Sequence, residues 1–349
     1  MFIGLHTASL NFETIKEIGQ EGKNSTVFIA HDKQLDGEIV VKKIEKSKMP
    51  NAAEYFNESK LLYNSIHQNI VRVIYGCEDN DHIYIAMPYY KNGSIKSLIN
   101  KRYLTVREII RYSIQFLAGL NHIHTKGLIH FDVKPDNILL SDTNEALLSD
   151  FGLVAAMDHL GFAEQLYAYN KQLPPERFSQ NKFAIQYDIY LAGLTIYRLC
   201  NGNENFYNQM NFSCPDEYKE AILKGHFPDR NFYLPHIPKK LRKSINKALN
   251  VDPSLRHNNI LELINEIGAI DCNLDLKFTT TIGIDSWELN LPNKVYIVEV
   301  IKKTSNFDIL TSKTMIDSGK RTKVIDYCCT GVTGAIVLRK LDKIFKDLA

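Results

Sequence analysis

Short apolar runs with alternating polar positions dominate the first ninety residues of the chain, which is the pattern of β-strands. The predicted strands cover residues 26–30, 38–44 and 83–87. One helical stretch separates them at 53–66, where Tyr55, Leu62 and Ile66 share a stripe at spacings of seven and four. We therefore expect residues 1–90 to form a unit that is mostly sheet with a single helix.

Helical periodicity replaces this alternation between residues 91 and 270. The predicted helices cover residues 106–124, 185–200, 215–223, 239–249 and 260–267. Pro174, Pro175 and three prolines between residues 227 and 238 mark loops between them. The second unit is therefore predicted to be mostly helical.

The pattern changes again after residue 270, where strand-like segments appear around 278–284, 295–301 and 307–315. A closing helix is predicted over 332–348, and its apolar face consists of Val337, Leu338, Leu341, Ile344, Phe345 and Leu348. Residues 271–349 are thus expected to form a small α+β module, which is either separate or packed on the second unit. The chain as a whole is predicted to be an α+β protein.

Charge and composition narrow the function classes. The 349 residues carry 42 Lys/Arg against 40 Asp/Glu, so no field over the whole surface favours nucleic acid or a membrane. Apolar runs reach only strand length, six cysteines show no C-x-x-C spacing, and the start lacks a basic region. We expect reduced thiols, no membrane partner and a cytoplasmic location.

One local exception concerns the end of the chain. From Lys294 onward there are eleven Lys/Arg against six Asp/Glu. This excess could attract an acidic partner, although a solvated basic face is the favoured interpretation.

Two neighbouring segments carry candidate chemistry: LIHFDVKPDNILL over 128–140 and LLSDFGLV over 147–154. Phosphoryl transfer needs a carboxylate at the acceptor hydroxyl, and Asp132 suits that role. It also needs hard oxygen ligands for Mg²⁺, which the Asn137 amide and the Asp150 carboxylate can supply beside water and substrate phosphates. Lys134, two residues after Asp132, can reach the transferred phosphate. The segments therefore predict a phosphotransferase site.

These motifs, in this order, resemble those of eukaryotic-type (Hanks-type) serine/threonine protein kinases over about residues 14–270. The resemblance implies a bilobal fold with a β-rich N-lobe over 1–90 and a helical C-lobe over 91–270. It also implies ATP and Mg²⁺ as cofactors and transfer of phosphate to Ser/Thr of protein substrates. Lys134 is typical of the serine/threonine branch. The module at 271–349 lies outside the resemblance, and regulation, substrate recruitment and dimerisation stay open for it.

The resemblance further implies a lysine that grips the nucleotide phosphates, and in IVVKKIEK the matching residue is Lys42. Successive strand side chains point to opposite faces, so only one of Lys42 and Lys43 can enter the cleft. Glu58 matches the ion-pair partner of this lysine, and Glu54 is the alternative.

The resemblance places the remaining nucleotide contacts in the N-lobe and at the hinge. These are Gly19 and Gly22 in the phosphate loop, Val27 and Val40 above the adenine, Leu139 below it, and Pro88 and Tyr90 at the hinge. Ser25 stands where the third glycine of the family falls, and the spacing before Gly22 is one residue longer. Pro88 has no N–H, but only its carbonyl is needed, because Tyr90 supplies the N–H.

By the same resemblance, Glu176 pairs with Arg256, and Asp188 anchors the backbone of the catalytic loop. Phe131 replaces the arginine that usually precedes the catalytic aspartate, and the segment 153–173 contains no Ser or Thr. We therefore predict a kinase of the non-RD type, which works without phosphorylation of this segment.

The alternatives are a nucleotide-binding pseudokinase scaffold and a dual-specificity or tyrosine kinase. The latter stays open because Tyr169 replaces the usual threonine seven residues before Glu176; Tyr167 is the other tyrosine of the segment. A small-molecule kinase is disfavoured. Autophosphorylation is expected.

Overall fold

In the computed structural model, which describes residues 10–19, 25–48, 56–165 and 172–348, five antiparallel strands form the first sheet. They are β1 (Phe12–Gly19), β2 (Ser25–Asp32), β3 (Gly37–Glu45), β4 (Tyr75–Glu78) and β5 (His82–Pro88), in the spatial order β1-β2-β3-β5-β4. Ile39 and Val41 of β3 pack on one face with Phe28, Ala30 and Ala86. Alternation therefore sends the intervening residues of β3 to the opposite face.

Among the described residues of this unit, one α-helix, α1 (Asn57–Asn64), accompanies the sheet, and Leu62 is buried on it as predicted. Ile66 is 70% exposed, so its assignment to the apolar stripe is wrong. The helix ends before that position, where the Ser65 N–H turns back to the Leu62 carbonyl at 3.2 Å. Tyr55 lies outside the described residues.

The second unit is helical, which confirms the predicted class. Its helices are α2 (Ile95–Lys101), α3 (Val106–Thr125), α4 (Gln186–Tyr207), α5 (Pro215–Leu223), α6 (Lys239–Ala248) and α7 (Ile260–Gly268). Thr105 and Glu108 form a reciprocal capping box at the start of α3. The predicted helix ending at Cys200 continues to Tyr207, with a bend at Gly202, whose φ is 77°. The short helix α2 was not predicted.

Short strand pairs fix the loops between α3 and α4. They are β6 (Leu128–Ile129) with β9 (Ala155–Ala156), β7 (Ile138–Leu140) with β8 (Ala146–Leu148), and β10 (Ala163–Glu164) with β11 (Lys182–Phe183). The two segments that carry the candidate chemistry are therefore held by backbone pairing rather than left as free loops.

The last region is a six-stranded antiparallel sheet followed by a helix. It contains β12 (Lys277–Thr281), β13 (Ile284–Leu291), β14 (Lys294–Lys302), β15 (Phe307–Met315), β16 (Arg321–Lys323), β17 (Cys329–Val332) and α8 (Gly334–Leu348). The predicted strand over 278–284 is wrong at its end, because a turn at Gly283, with φ 82°, separates β12 from β13. Leu338 is 57% exposed and does not belong to the buried face of α8.

An aromatic contact joins this module to the helical lobe. The Trp287 ring lies 5.0 Å from that of Phe278 and 5.5 Å from that of Phe345, and Trp287 Nε1 donates to His236 Nδ1 at 3.1 Å. The Phe278 ring also contacts that of Tyr103 at 4.8 Å. The module and the lobe thus share one hydrophobic core.

Two further findings bear on the sequence predictions. All six cysteines are free thiols, as predicted. Among the described residues, no helix combines the length and the apolar composition that crossing a membrane requires.

Candidate active site

The loop between β6 and β7 is anchored by Asp188, which is fully buried in the first turn of α4. Its Oδ1 accepts the Phe131 N–H at 2.8 Å, and its Oδ2 accepts the His130 N–H at 2.7 Å. His124 Nε2 lies 2.8 Å from the same Oδ2. Asp188 therefore holds the loop backbone as predicted, whereas the contact from His124 was missed.

His130 links this loop to the Asp150 segment. Its Nδ1 accepts the Asp132 N–H at 3.2 Å, and its Nε2 donates to the Ser149 carbonyl at 3.1 Å. Burial lowers the pKa of His130. The ring is therefore a neutral imidazole with its proton on Nε2, and it fixes the position of Asp132 relative to Asp150.

Asp132, Lys134 and Asn137 form one bonded cluster. Asp132 Oδ2 accepts from Lys134 Nζ at 3.0 Å and from Asn137 Nδ2 at 2.8 Å. Asn137 Nδ2 also donates to the Asp132 carbonyl at 3.0 Å. Because the amide nitrogen of Asn137 faces Asp132, its amide oxygen is the atom left to bind a cation.

Asp150 follows β8 and has a positive φ of 61°, a conformation that is unusual for an aspartate. Lys42 Nζ lies 2.9 Å from its Oδ1, and this charge lowers the pKa of Asp150 to about 2. The preceding residue, Ser149, bonds the Asn137 carbonyl through its N–H at 2.9 Å and its hydroxyl at 3.0 Å. The two candidate metal ligands therefore belong to backbone segments that are bonded to each other.

The structure distinguishes the two adjacent lysines of β3. Lys42 reaches Asp150, whereas Lys43 Nζ lies 6.0 Å from the centre of the Tyr84 ring. Alternation along β3 produces this difference. The side chain of Glu58 and all of Glu54 lie outside the described residues, so the predicted ion pair with Lys42 stays a prediction.

Two predicted adenine contacts, Val27 and Val40, lie on neighbouring strands of the five-stranded sheet. Val27 is paired with Lys42 across β2 and β3, and Val40 is paired with Met87 across β3 and β5. Directly paired residues share a face, so Val27 and Val40 lie on the face that carries Lys42. Both are half-buried.

The other predicted nucleotide contacts lie around the end of this sheet. Gly19 ends β1 opposite Val27, and Pro88 ends β5 just before the half-buried Tyr90. Leu139 of β7 bridges Ser94 in the segment that follows the hinge. Gly22 lies outside the described residues.

Phe131, where the resemblance implies an arginine, is buried with a φ of 65°. Its ring lies 5.9 Å from that of Phe183 on β11 and 5.0 Å from that of Tyr187, in edge-to-face arrangements. Phe183 belongs to β11, which pairs with β10 in the segment that follows Asp150. The cluster therefore contacts this segment through β11. Tyr167 and Tyr169 lie outside the described residues.

Glu176 and Arg256 form the pair that the sequence predicts. Both are buried, and Arg256 Nη1 and Nη2 donate to the two carboxylate oxygens at 2.7 Å each. Arg256 also donates to three backbone carbonyls. This bidentate pair fixes the end of the segment that follows Asp150.

The donor set fits a magnesium ion. Among the described residues, no group of three or more His, Cys, Asp or Glu side chains is placed to hold a metal without further ligands. Mg²⁺ commonly takes one or two protein oxygens and completes its shell with water and phosphates. The Asn137 amide oxygen and the Asp150 carboxylate meet that requirement.

Comparison with known proteins agrees with this geometry. Residues 12–267 match the model of the family described as "Protein kinase domain". The chain is 29% identical over 200 residues to serine/threonine-protein kinase PAK mbt of Drosophila melanogaster, an alignment that covers 57% of this chain and 31% of the relative. It is 25% identical over 301 residues to serine/threonine-protein kinase PknD of Protochlamydia amoebophila, covering 76% and 30%. The chain thus spans about a third of the length of these relatives.

Proposed function

Because the chain belongs to the protein kinase domain family, we propose that it transfers the γ-phosphate of ATP, with Mg²⁺, to serine and threonine hydroxyls of proteins. The observation that carries the proposal is the cluster of Asp132, Lys134 and Asn137 beside the Lys42–Asp150 pair. Phosphoryl transfer depends mainly on positioning and on neutralising phosphate charge, and this cluster supplies both.

Each polar group has a role in this proposal. Asp132 orients the acceptor hydroxyl and accepts its proton, and Lys134 offsets charge on the transferred group. Asn137 and Asp150 hold Mg²⁺, which supplies positive charge to the phosphates when it is bound. Lys42 positions the nucleotide phosphates next to Asp150.

Lys134 and the names of the relatives support serine and threonine as acceptors. Tyr169 is the feature that favours the alternative, a dual-specificity or tyrosine kinase. Phosphoamino-acid analysis of the product distinguishes them: phosphoserine or phosphothreonine supports the proposal, and phosphotyrosine alone contradicts it.

We also propose that the kinase is of the non-RD type and needs no phosphate on the segment that follows Asp150. The buried contact of Phe131 with Phe183 and Tyr187 supports this, because ring packing takes the place of an arginine–phosphate pair. Replacement of both Tyr167 and Tyr169 by phenylalanine should leave most activity intact. A loss beyond about a hundredfold, near 2.7 kcal/mol, would contradict this.

The central experiment measures transfer of labelled γ-phosphate to the protein itself and to a generic basic protein. Asp132→Asn should lower turnover by about 100- to 10,000-fold, because it removes the proton acceptor. Asp142→Asn is the matched control, since Asp142 is exposed ten residues farther along the chain. Mg²⁺-dependent ATP binding without any transfer by the wild-type protein would instead indicate a pseudokinase scaffold.

A further inference from the structure

Among the described residues, a second buried arginine of the helical lobe bonds no carboxylate. Arg198 of α4 is 0% exposed. Its Nε and Nη2 donate to Asn203 Oδ1 at 3.0 and 2.8 Å, its Nη1 donates to Gln172 Oε1 at 3.1 Å, and its Nη2 donates to the Tyr207 hydroxyl at 3.2 Å. Within the part of the chain that the structure describes, every hydrogen-bond partner of this guanidinium is therefore neutral.

Such an arrangement is costly for a cation. A buried charge is stabilised by an opposite charge, and amide or hydroxyl partners return only part of the lost hydration. The rings of Phe206 and Tyr207, at 5.0 and 5.4 Å, offset some of the cost through cation–π contact. The charge of the Asp136 carboxylate also acts on Arg198, but Asp136 Oδ1 already pairs with Lys96 Nζ at 2.5 Å. The site around Arg198 thus favours an additional anion.

The position of Arg198 relates this anion site to the phosphoryl acceptor. Thr195, one turn earlier on α4, bonds the Val133 carbonyl through its hydroxyl at 3.2 Å, and Val133 follows Asp132. Gln172 belongs to the stretch that leads into Glu176, at the end of the segment that follows Asp150. Arg198 therefore lies between the loop that carries Asp132 and the end of the segment that follows Asp150.

Two of the side chains that bond the guanidinium are partly exposed. Gln172 is half-buried and Tyr207 is 45% exposed, and both bond Arg198 directly. Displacement of the Gln172 amide by a carboxylate would replace a neutral acceptor with an anionic one and form an ion pair with the guanidinium.

We propose that Arg198 is the cationic centre of a substrate subsite that selects an acidic side chain close to the phosphorylated hydroxyl. This rests on the proposed kinase function and narrows its substrates to proteins with an acidic residue near the acceptor. Asn203 positions the guanidinium, and Gln172 occupies the carboxylate position when no substrate is bound.

The test uses serine peptides in an alanine and glycine background. Each peptide carries one glutamate, one phosphoserine or one glutamine at one of the three positions on either side of the acceptor. At one of these six positions, the glutamate peptide should have a kcat/KM at least tenfold higher than that of the glutamine peptide, which corresponds to about 1.4 kcal/mol. A larger gain with phosphoserine would identify a phosphorylated substrate as the source of the anion.

Two negative outcomes are distinguishable. Equal kcat/KM for glutamate and glutamine at all six positions would overturn the subsite alone. Absence of transfer to every peptide would overturn the proposed function and, with it, this inference.

A variant that preserves Arg198 sharpens the test. Gln172→Glu places a carboxylate of the chain itself beside Nη1, so the ratio of kcat/KM for glutamate over glutamine peptides should fall to about one, and Tm should rise. Gln180→Glu adds the same charge at an exposed position of the same lobe and should keep both the ratio and Tm. Retention of the glutamate preference in Gln172→Glu would contradict the proposal.

Discussion

Two arginines are fully buried in the same helical lobe, and their surroundings differ. Arg256 is neutralised by the two oxygens of Glu176, whereas the partners of Arg198 in the described part of the chain are the amides of Asn203 and Gln172 and the phenol of Tyr207. Equal burial therefore does not mean equal function. A buried cation that has a bonded counter-charge is neutralised within the fold, and under the proposal above the cation that lacks one receives its anion from a substrate.

Two other buried residues of the lobe have uncharged side chains. Phe131 stands where the motif resemblance implies an arginine, and an aromatic cluster fills its site. His236 accepts the Trp287 N–H on Nδ1, so it must be a neutral imidazole. Against this pattern, the unneutralised charge of Arg198 is an exception within the described part of the lobe.

The largest effect is expected where the neutralised pair is broken. Glu176→Gln leaves the Arg256 guanidinium buried without its counter-charge and should lower the free energy of unfolding by about 3–5 kcal/mol. Chemical denaturation measures this change. The double variant Glu176→Gln with Arg256→Met should regain most of the loss, and a single-variant loss below about 1 kcal/mol would show that the pair is not neutralised as described.

The second largest effect is expected from truncating Phe131, the centre of the aromatic cluster. Phe131→Ala leaves a cavity beside Phe183 and Tyr187 and should cost about 3 kcal/mol of unfolding free energy, together with most of the activity. Phe131→Leu, which fills more of the space, should retain more of both. If Phe131→Arg proved as stable as Phe131→Leu, the view that this position avoids buried charge would be wrong.

The neutral histidine predicts a pH dependence. Burial and the charge of Arg242 lower the pKa of His236 to about 3, so below about pH 6.5 the unfolded chain takes up a proton that the folded chain does not. The free energy of unfolding should therefore fall as pH falls, by up to about 1.4 kcal/mol per unit from this group. Unfolding of the wild-type protein and His236→Asn between pH 7.5 and 5 measures the difference. Parallel pH curves would contradict the prediction.

The smallest effect on stability is expected at Arg198 itself. Arg198→Met removes an unneutralised charge from an apolar setting and should change the free energy of unfolding by no more than about 1 kcal/mol. Arg256→Met, with Glu176 left in place, should cost several times as much. Equal losses of unfolding free energy in the two variants would contradict the claim that Arg256 is neutralised and Arg198 is not.

Much of the fold follows from residues whose partners are local or belong to a shared motif. Periodicity predicts α5 and β15 with the bounds that the structure shows, and α3 to within one residue. Asp188, Glu176 and Arg256 make the contacts that the resemblance implies. Such pairs are predictable because each member has a distinct chemical role at a fixed place in the motif order.

The remainder depends on tertiary packing that one sequence does not specify. The alternation of Trp287, Leu289 and Leu291 with polar neighbours could have predicted β13, but nothing in it names His236 as the partner of Trp287. An arginine within the apolar run of α4 likewise signals something unusual. Only the structure shows that its hydrogen-bond partners are neutral.

The central claim, that the Lys42 face of the sheet is the phosphotransfer cleft, is tested most directly by the two adjacent lysines of β3. Lys42→Ala and Lys43→Ala remove the same charge from neighbouring positions that point to opposite faces. Transfer of labelled γ-phosphate to a generic protein should fall at least a hundredfold in Lys42→Ala and stay within about twofold of wild type in Lys43→Ala. Equal activity of the two variants, or loss confined to Lys43→Ala, would contradict the assignment.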